Sequence, residues 1–333
     1  MMKAIVQEVY GGPEVLHFAE IPKPVPGPRD VLLRVKAVSV NPVDAKQRAG
    51  GPPHTPVSNP PFIVGWDAAG VVEAVGDEVA LFKVGDEVYG AGDSTRPGSY
   101  AEYLAIDERI IGRKPKSLSF EQAAAIPLTA LTAWEGMFEM IDVQRGEADI
   151  PRTVLIVGGA GGVGSVAIQL AKQVADMHVV ATASRPASTE RCRQLGADAV
   201  INHNEDFAPQ LEAVGLSGVE YIFTTAPLNN FAQLVASLKP LGKISCILPS
   251  PDLDVTGLFP LRGTLAFELM FTRPRFGVEP EKQGQILNRV ADLLDGGQVV
   301  TTLTQVMSWA DVQEAHRAIE TTHSLGKMVL RIE

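Results

Sequence analysis

Apolar and polar positions change rhythm along this chain. Over residues 1 to about 115, short apolar or alternating runs recur at Ala4–Val9, Val31–Val40, Ala69–Val75 and Glu87–Tyr89. Such runs bounded by turn residues predict β-strands. The breaks are Gly11-Gly12-Pro13, Pro22–Pro28, Gly76-Asp77 and Gly85-Asp86. Prolines at 22, 24, 26 and 28 cannot donate to a sheet ladder, so that segment is expected to be an extended surface connection. The stretch Gly50–Pro61 holds five prolines and is expected to be an irregular loop.

From Ser119 the texture becomes helical. Ser119-Phe120-Glu121-Gln122 has the spacing of a capping box, and alanine-rich sequence follows it. Strands are then expected at Thr153–Val157, His178–Ala183, Asp198–Asn202, Val219–Thr224 and Lys243–Leu248. Helices at Gly164–Ala175, Ala187–Leu195 and about 206–214 and 228–238 separate them. Near-continuous apolar strands alternating with helices predict a parallel sheet covered on both faces, a doubly wound α/β domain. Beyond residue 270 the pattern predicts a helix near Glu281–Leu294, a strand at Gln298–Leu303, a helix from Ala310 to about Thr321 and a strand at Lys327–Ile332. This tail is expected to complete the N-terminal β-rich domain.

Composition narrows the classes of function. With 333 residues, two domains are the natural expectation. A net charge of −10 and the lack of a dense Lys/Arg run disfavour nucleic acid as a partner. Two cysteines, Cys192 and Cys246, supply neither a disulfide framework nor a CxxC pair. There is no apolar run of 18 residues, and the first residues, with an early Glu8, do not read as a secretory signal. A cytoplasmic protein without a membrane partner is expected.

The segment that carries chemistry is Gly158-Gly159-Ala160-Gly161-Gly162-Val163-Gly164. Gly159, Gly161 and Gly164 fit G-x-G-x-x-G between a strand and a helix. There the glycines permit a tight turn, close approach of backbone to a pyrophosphate and close helix–strand packing, with the helix N-terminus facing the anion. Gly162 and Val163 complete the expected cradle. In a dinucleotide site, an acid at the end of the second strand bonds the ribose hydroxyl of NAD. Here the segment reads Ala181-Thr182-Ala183-Ser184-Arg185, without an acid. A hydroxyl and a guanidinium suit a 2′-phosphate, so NADPH is the expected cofactor. The alternative for Arg185 is an ordinary exposed loop arginine.

With these residues in view, the chain resembles the medium-chain dehydrogenase/reductase superfamily, in particular its zinc-free quinone oxidoreductase branch. The resemblance is carried by Asn41-Pro42-Val43-Asp44, Gly65-Trp66-Asp67-Ala68-Ala69-Gly70-Val71-Val72, Gly85-Asp86-Glu87-Val88-Tyr89-Gly90, Pro127–Ala133, the glycine turn, Leu195-Gly196-Ala197-Asp198 and Gly326-Lys327-Met328-Val329-Leu330. It spans essentially the whole chain. It implies a GroES-like β-rich domain over 1–123 and 268–333, a Rossmann-like domain over 124–267, and an active site in the cleft between them. Where zinc-dependent relatives hold the metal with Cys, His and Cys, this chain has Asn41, Trp66 and Leu128, none of them a credible ligand. No four-cysteine lobe lies between Gly90 and Tyr103. No metal is expected.

The resemblance also implies roles. Asn41 and Thr132 lie near the nicotinamide, where their amide and hydroxyl could stabilise a developing oxyanion. The alternative for Asn41 is a turn former whose amide caps local backbone. Arg185 takes the phosphate-binding place, and His203 lies where an aromatic touches the adenosine end, or else is a surface residue at a strand end. Thr225 and Leu248 end later strands, as cofactor contacts or as packing. Asp44 buttresses its loop or bonds near the cofactor, and Trp66 walls the substrate pocket. No residue stands out as general acid, so solvent is expected to deliver the proton. The expected activity is NADPH-dependent hydride transfer to a quinone or related conjugated carbonyl. The alternatives are alkene reduction of enones or haloacrylates, and a non-catalytic NADPH-binding sensor or structural protein. A homodimer is a family expectation.

Overall fold

The computed structural model describes residues 1–50, 61–144, 152–321 and 325–333. The proline-rich stretch expected to be a loop after Gly50 lies almost entirely outside the described residues. The chain forms two compact units, Met1–Leu131 with Phe271–Glu333, and Thr132–Met270. The expected boundaries were 123/124 and 267/268.

The second unit is built on six parallel strands: Thr153–Val157, His178–Thr182, Ala199–Ile201, Val219–Thr224, Leu238–Cys246 and Thr264–Phe267. Numbered along the chain, they lie in the order 3-2-1-4-5-6. This is the doubly wound order, with its switch point between the first and fourth strands. The apolar run Thr153-Val154-Leu155-Ile156-Val157 is buried at every position, as a central strand covered on both faces requires. Helices Gly162–Gln173, Pro186–Gln194, Phe207–Ala213 and Phe231–Ala236 supply cover. The fifth strand starts earlier than its apolar pattern predicts, at Leu238 rather than Lys243. It runs through Pro240 and through Leu241 at φ +66°, where the partner register shifts. A bulge of this kind hides a strand from pattern reading.

The first unit holds a seven-stranded sheet. Its main order is Leu303–Ser308, Lys327–Arg331, Asp30–Val40, Ala68–Val75, Glu87–Gly90 and Ile111–Arg113, with Tyr103–Asp107 also pairing with Asp30–Val40. All pairs are antiparallel except the first. The strand Lys327–Arg331 thus sits inside the sheet and completes the N-terminal β structure. Met2–Val6 and His17–Ile21 form a separate antiparallel pair. The Ser119 capping box is present: Gln122 N–H donates to Ser119 Oγ at 3.2 Å and Ser119 N–H to Gln122 Oε1 at 3.0 Å. The strand expected at Gln298–Leu303 begins instead at Leu303. Val299 is buried as a packing residue in the connection, and the ladder starts only where Lys327 lies opposite.

Candidate functional site

In the second unit, the glycine turn leaves the first strand at the switch point. Gly158 takes φ +81°, a backbone conformation that favours glycine. Its N–H donates to Thr182 Oγ1 at 3.0 Å, which ties the turn to the end of the second strand. A Cβ on Gly159 would meet Ala181 at 2.8 Å and Cys192 Sγ at 2.9 Å, and one on Gly164 would collide with the Gly158 carbonyl. The protein's own packing therefore requires glycine at 158, 159 and 164. Gly161 differs. It caps helix Gly162–Gln173, and a Cβ there would touch nothing closer than the Gly158 carbonyl at 3.5 Å. Its open side, next to the N–H groups of Gly162, Val163 and Gly164, which a helix start leaves without a partner inside the helix, is shaped for a close-lying anionic group. These residues fit a dinucleotide pyrophosphate.

The ends of the second and third strands gather the next residues. Ser184 is half-buried and Arg185 exposed, just before helix Pro186–Gln194. Ser188 Oγ accepts the Arg185 N–H at 3.2 Å and donates to its carbonyl at 2.9 Å, which fixes the backbone there. His203 Nδ1 lies 3.4 Å from Thr182 Oγ1. Burial, and then the nearby positive charge of Arg185, hold the His203 imidazole below its ordinary pKa. Ser184, Arg185 and His203 thus share one edge of the sheet with the glycine turn. At the fourth strand, Thr225 donates from Oγ1 to the Val157 carbonyl at 2.9 Å, across the switch point. Leu248 lies beyond its strand end and packs against the core. Thr132 is buried on helix Pro127–Trp134.

In the first unit, Asn41 precedes helix Pro42–Arg48 and is 1% exposed. Its backbone N–H donates to Asp44 Oδ2 at 2.7 Å, but its own amide does not cap the helix. Nδ2 donates to Asp67 Oδ2 at 2.9 Å, and Oδ1 accepts from Lys327 Nζ. The Lys327 ammonium also donates to the Val40 carbonyl at 3.0 Å and lies 3.4 Å from Asp67 Oδ2. Asp67 further accepts from Ser39 Oγ and, at 2.7 Å, from Leu128 N–H. Burial draws the Lys327 ammonium below its ordinary pKa, opposed by the charges of Asp67 and Asp44.

Asp44 joins a second chain of polar groups. Its Oδ2 also accepts from Tyr100 O–H at 3.1 Å. Tyr100 Oη lies 3.3 Å from His316 Nε2, and His316 Nδ1 lies 3.0 Å from Arg48 Nη1. A guanidinium can only donate, so His316 Nδ1 accepts, and Nε2–H points at Tyr100. Arg48 is also paired with Glu320. Burial raises the Asp44 carboxyl from 3.8 to about 7, and burial with the Arg48 charge lowers His316 to about 3. Asp44 Oδ1 and Trp66 Nε1 are buried and have no hydrogen-bond partner among the described residues. Trp66 packs edge-on against Phe271, with ring centroids 5.2 Å apart.

No group of three or more His, Cys, Asp or Glu among the described residues is placed to hold a metal ion. At the positions where metal ligands would stand, an indole, a leucine and an amide already bonded to an ammonium do not fit a divalent cation.

Residues 27–116 match the description "Alcohol dehydrogenase GroES-like domain", and residues 195–330 match "Zinc-binding dehydrogenase". A zinc-type alcohol dehydrogenase-like protein of Staphylococcus aureus is 37% identical over 93% of each chain. The chain is a medium-chain dehydrogenase/reductase. The family comprises nicotinamide-dependent oxidoreductases. This dehydrogenase/reductase is also 33% identical to an NADPH-dependent alkenal/one oxidoreductase of Arabidopsis thaliana, over 99% of the chain and 79% of the relative. Among solved structures, an alcohol dehydrogenase superfamily protein from Novosphingobium aromaticivorans is 31% identical with TM-score 0.90, covering both chains completely. A quinone oxidoreductase from Coxiella burnetii is 29% identical with TM-score 0.82, covering 100% of this chain and 99% of that one.

Sequence reading missed the partners of Asn41 and Asp44. Lys327 and Asp67 stood inside recognised motifs without a role, and Tyr100, His316 and Arg48 carried no motif at all. One signal was available: Lys327 opens the apolar run Met328-Val329-Leu330, and a lysine within a buried strand needs a buried partner.

Proposed function

We propose that this medium-chain dehydrogenase/reductase is a zinc-independent, NADPH-dependent reductase that passes hydride to a quinone or a related conjugated carbonyl. The observation that carries the reading is the second-strand end: Ser184 and Arg185 sit where an acid would select NAD, on the same sheet edge as the glycine cradle. NADPH supplies the hydride when bound. The chain binds and orients it through Gly159, Gly161, Gly162, Val163, Gly164, Ser184 and Arg185, with His203, Thr225 and Leu248 as further contacts. Reduction leaves negative charge on the acceptor's oxygen. The donors proposed for that charge are Asn41 Nδ2–H and the Thr132 hydroxyl, in place of a Lewis acid. Trp66 and Asp44 belong to the substrate side, and solvent returns the proton.

Alkene reduction of an enone is the second reading, favoured by the name of the Arabidopsis relative. There hydride goes to the β-carbon, and the resulting enolate is protonated at the α-carbon. NADPH oxidation with 9,10-phenanthrenequinone and with an enone panel separates the two. Turnover of the quinone above all enones supports the first reading, and the reverse ranking supports the second. Tight NADPH binding without turnover of any acceptor would establish a non-catalytic binding protein instead.

A further inference from the structure

We infer that Lys327 and Asp67 are positioning residues that hold the Asn41 carboxamide with an N–H, rather than its carbonyl, presented to the hydride acceptor. The proposed role of Asn41 as donor is the reading on which the functional half of this inference rests.

A lysine ammonium has three donors and no acceptor, and an ionised carboxylate accepts only. All three Lys327 protons have partners: the Val40 carbonyl, Asn41 Oδ1 and Asp67 Oδ2. Asp67 collects donors from Ser39, Asn41, Leu128 and Lys327. Asn41 lies between the two charges, its oxygen towards the cation and its NH2 towards the anion. Flipping the amide would set NH2 against the ammonium and oxygen against the carboxylate, two repulsive contacts in place of two attractive ones. Lys327 is 4% exposed, Asp67 0% and Asn41 1%, so water cannot screen that reversal. An isolated asparagine amide turns over freely; this one has a single allowed orientation. Of its two Nδ2 hydrogens, one is taken by Asp67, and the second has no partner among the described residues and can be given to an acceptor.

The device is also costly to keep for stability alone. A buried ion pair often contributes no more than well-packed apolar residues of the same volume. A buried lysine at the start of an inner strand is better explained by what it orients.

Two measurements on the full chain test this. The first needs no activity: selective 15N-asparagine labelling, with the Asn41 carboxamide resonances assigned by their loss in Asn41→Ala. In the wild type, the two Nδ2 protons are expected as a well-separated, slowly exchanging pair. In Lys327→Met they are expected to collapse towards the values of a solvent-exposed asparagine, while Lys327→Arg retains the separation. An unchanged pair in Lys327→Met overturns the inference. Should Lys327→Met not fold, Asp67→Asn, which removes the anion but keeps an acceptor, is read in the same way.

The second is a double-mutant cycle in turnover. Lys327→Met is expected to lower kcat about tenfold or more, with the NADPH Kd within about twofold of wild type. In an Asn41→Ala background the same change is expected to cost less than about twofold. Equal losses in both backgrounds would mean that Lys327 does not act through Asn41, and the inference fails. If Asn41→Ala turns over like wild type, the functional reading of Asn41 fails instead, and the resonance experiment still decides whether its amide is held.

Discussion

Asp44 and Arg185 show how a single side chain can be read for energy and for specificity. The Asp44 carboxyl is lifted to about 7 by burial, against the Asn41 N–H, the Lys327 charge and the Tyr100 O–H, all of which favour ionisation, while Asp67 opposes it. A proton on Oδ1, which has no partner among the described residues, leaves both bonds to Oδ2 intact. A carboxyl whose folded pKa exceeds its unfolded value of 3.8 binds its proton more tightly in the native state. Its contribution to stability is complete below pH 3.8 and is lost as pH rises through about 7. His316, lowered to about 3, stays neutral over that window, and Tyr100, raised well above its ordinary value, stays protonated. Asp44→Asn removes the titration, so its stability relative to wild type is expected to improve between pH 5 and pH 9 in urea unfolding. A difference that does not change with pH would show that Asp44 does not titrate there. Arg185→Ala is expected to weaken NADPH by about tenfold or more while leaving NADH within about twofold, because only NADPH carries the extra phosphate. Equal losses in a fluorescence titration would remove Arg185 from the phosphate site.

At the level of elements, the glycine turn separates what the fold needs from what a ligand needs. Gly164→Ala drives a Cβ into the Gly158 carbonyl and is expected to cost about 1–3 kcal/mol of stability, lowering the Tm with or without NADPH. Gly161→Ala meets no close neighbour, so the apo Tm is expected to hold while the NADPH Kd rises about tenfold. A cofactor affinity unchanged in Gly161→Ala would mean that nothing lies close to that backbone. The α/β unit was the most legible part of the sequence, because a strand such as Thr153–Val157 is apolar throughout and is closed by glycine. Strands Tyr103–Asp107, Ile111–Arg113 and Thr264–Phe267 were not read, being short and only partly apolar. Leu303–Ser308 is a sheet edge whose exposed Thr304, Gln305 and Val306 blur the alternation, so the apolar pair Val299-Val300 drew the expected strand too early. The glycine turn and the second-strand end, which share a sheet edge, could be picked out together because they lie close in sequence. The buried cluster at Asn41 was not: Asp67 and Lys327 are 260 residues apart, and a charge in a single sequence reads as surface until the fold buries it.

For the molecule as a whole, no helix among the described residues is long and apolar enough to cross a membrane. The lack of a fitting ligand set among the described residues predicts that purified protein carries no stoichiometric zinc and that exhaustive chelation leaves Tm and NADPH affinity unchanged. One zinc per chain by elemental analysis would overturn the reading at Asn41, Trp66 and Leu128. The placing of Lys327–Arg331 inside the seven-stranded sheet also bears on how this chain is made. The second unit, Thr132–Met270, is continuous and has all its strands as soon as it leaves the ribosome. The first has to wait: its sheet lacks an inner strand until residues 327–331 are synthesised. Until then Asn41 and Asp67 lack the Lys327 ammonium, and the Ala37–Val40 end of that strand's edge is open to pairing with any other strand. Synthesis that stalls just short of Lys327 would therefore release a finished nucleotide-binding half joined to an unfinished, aggregation-prone partner.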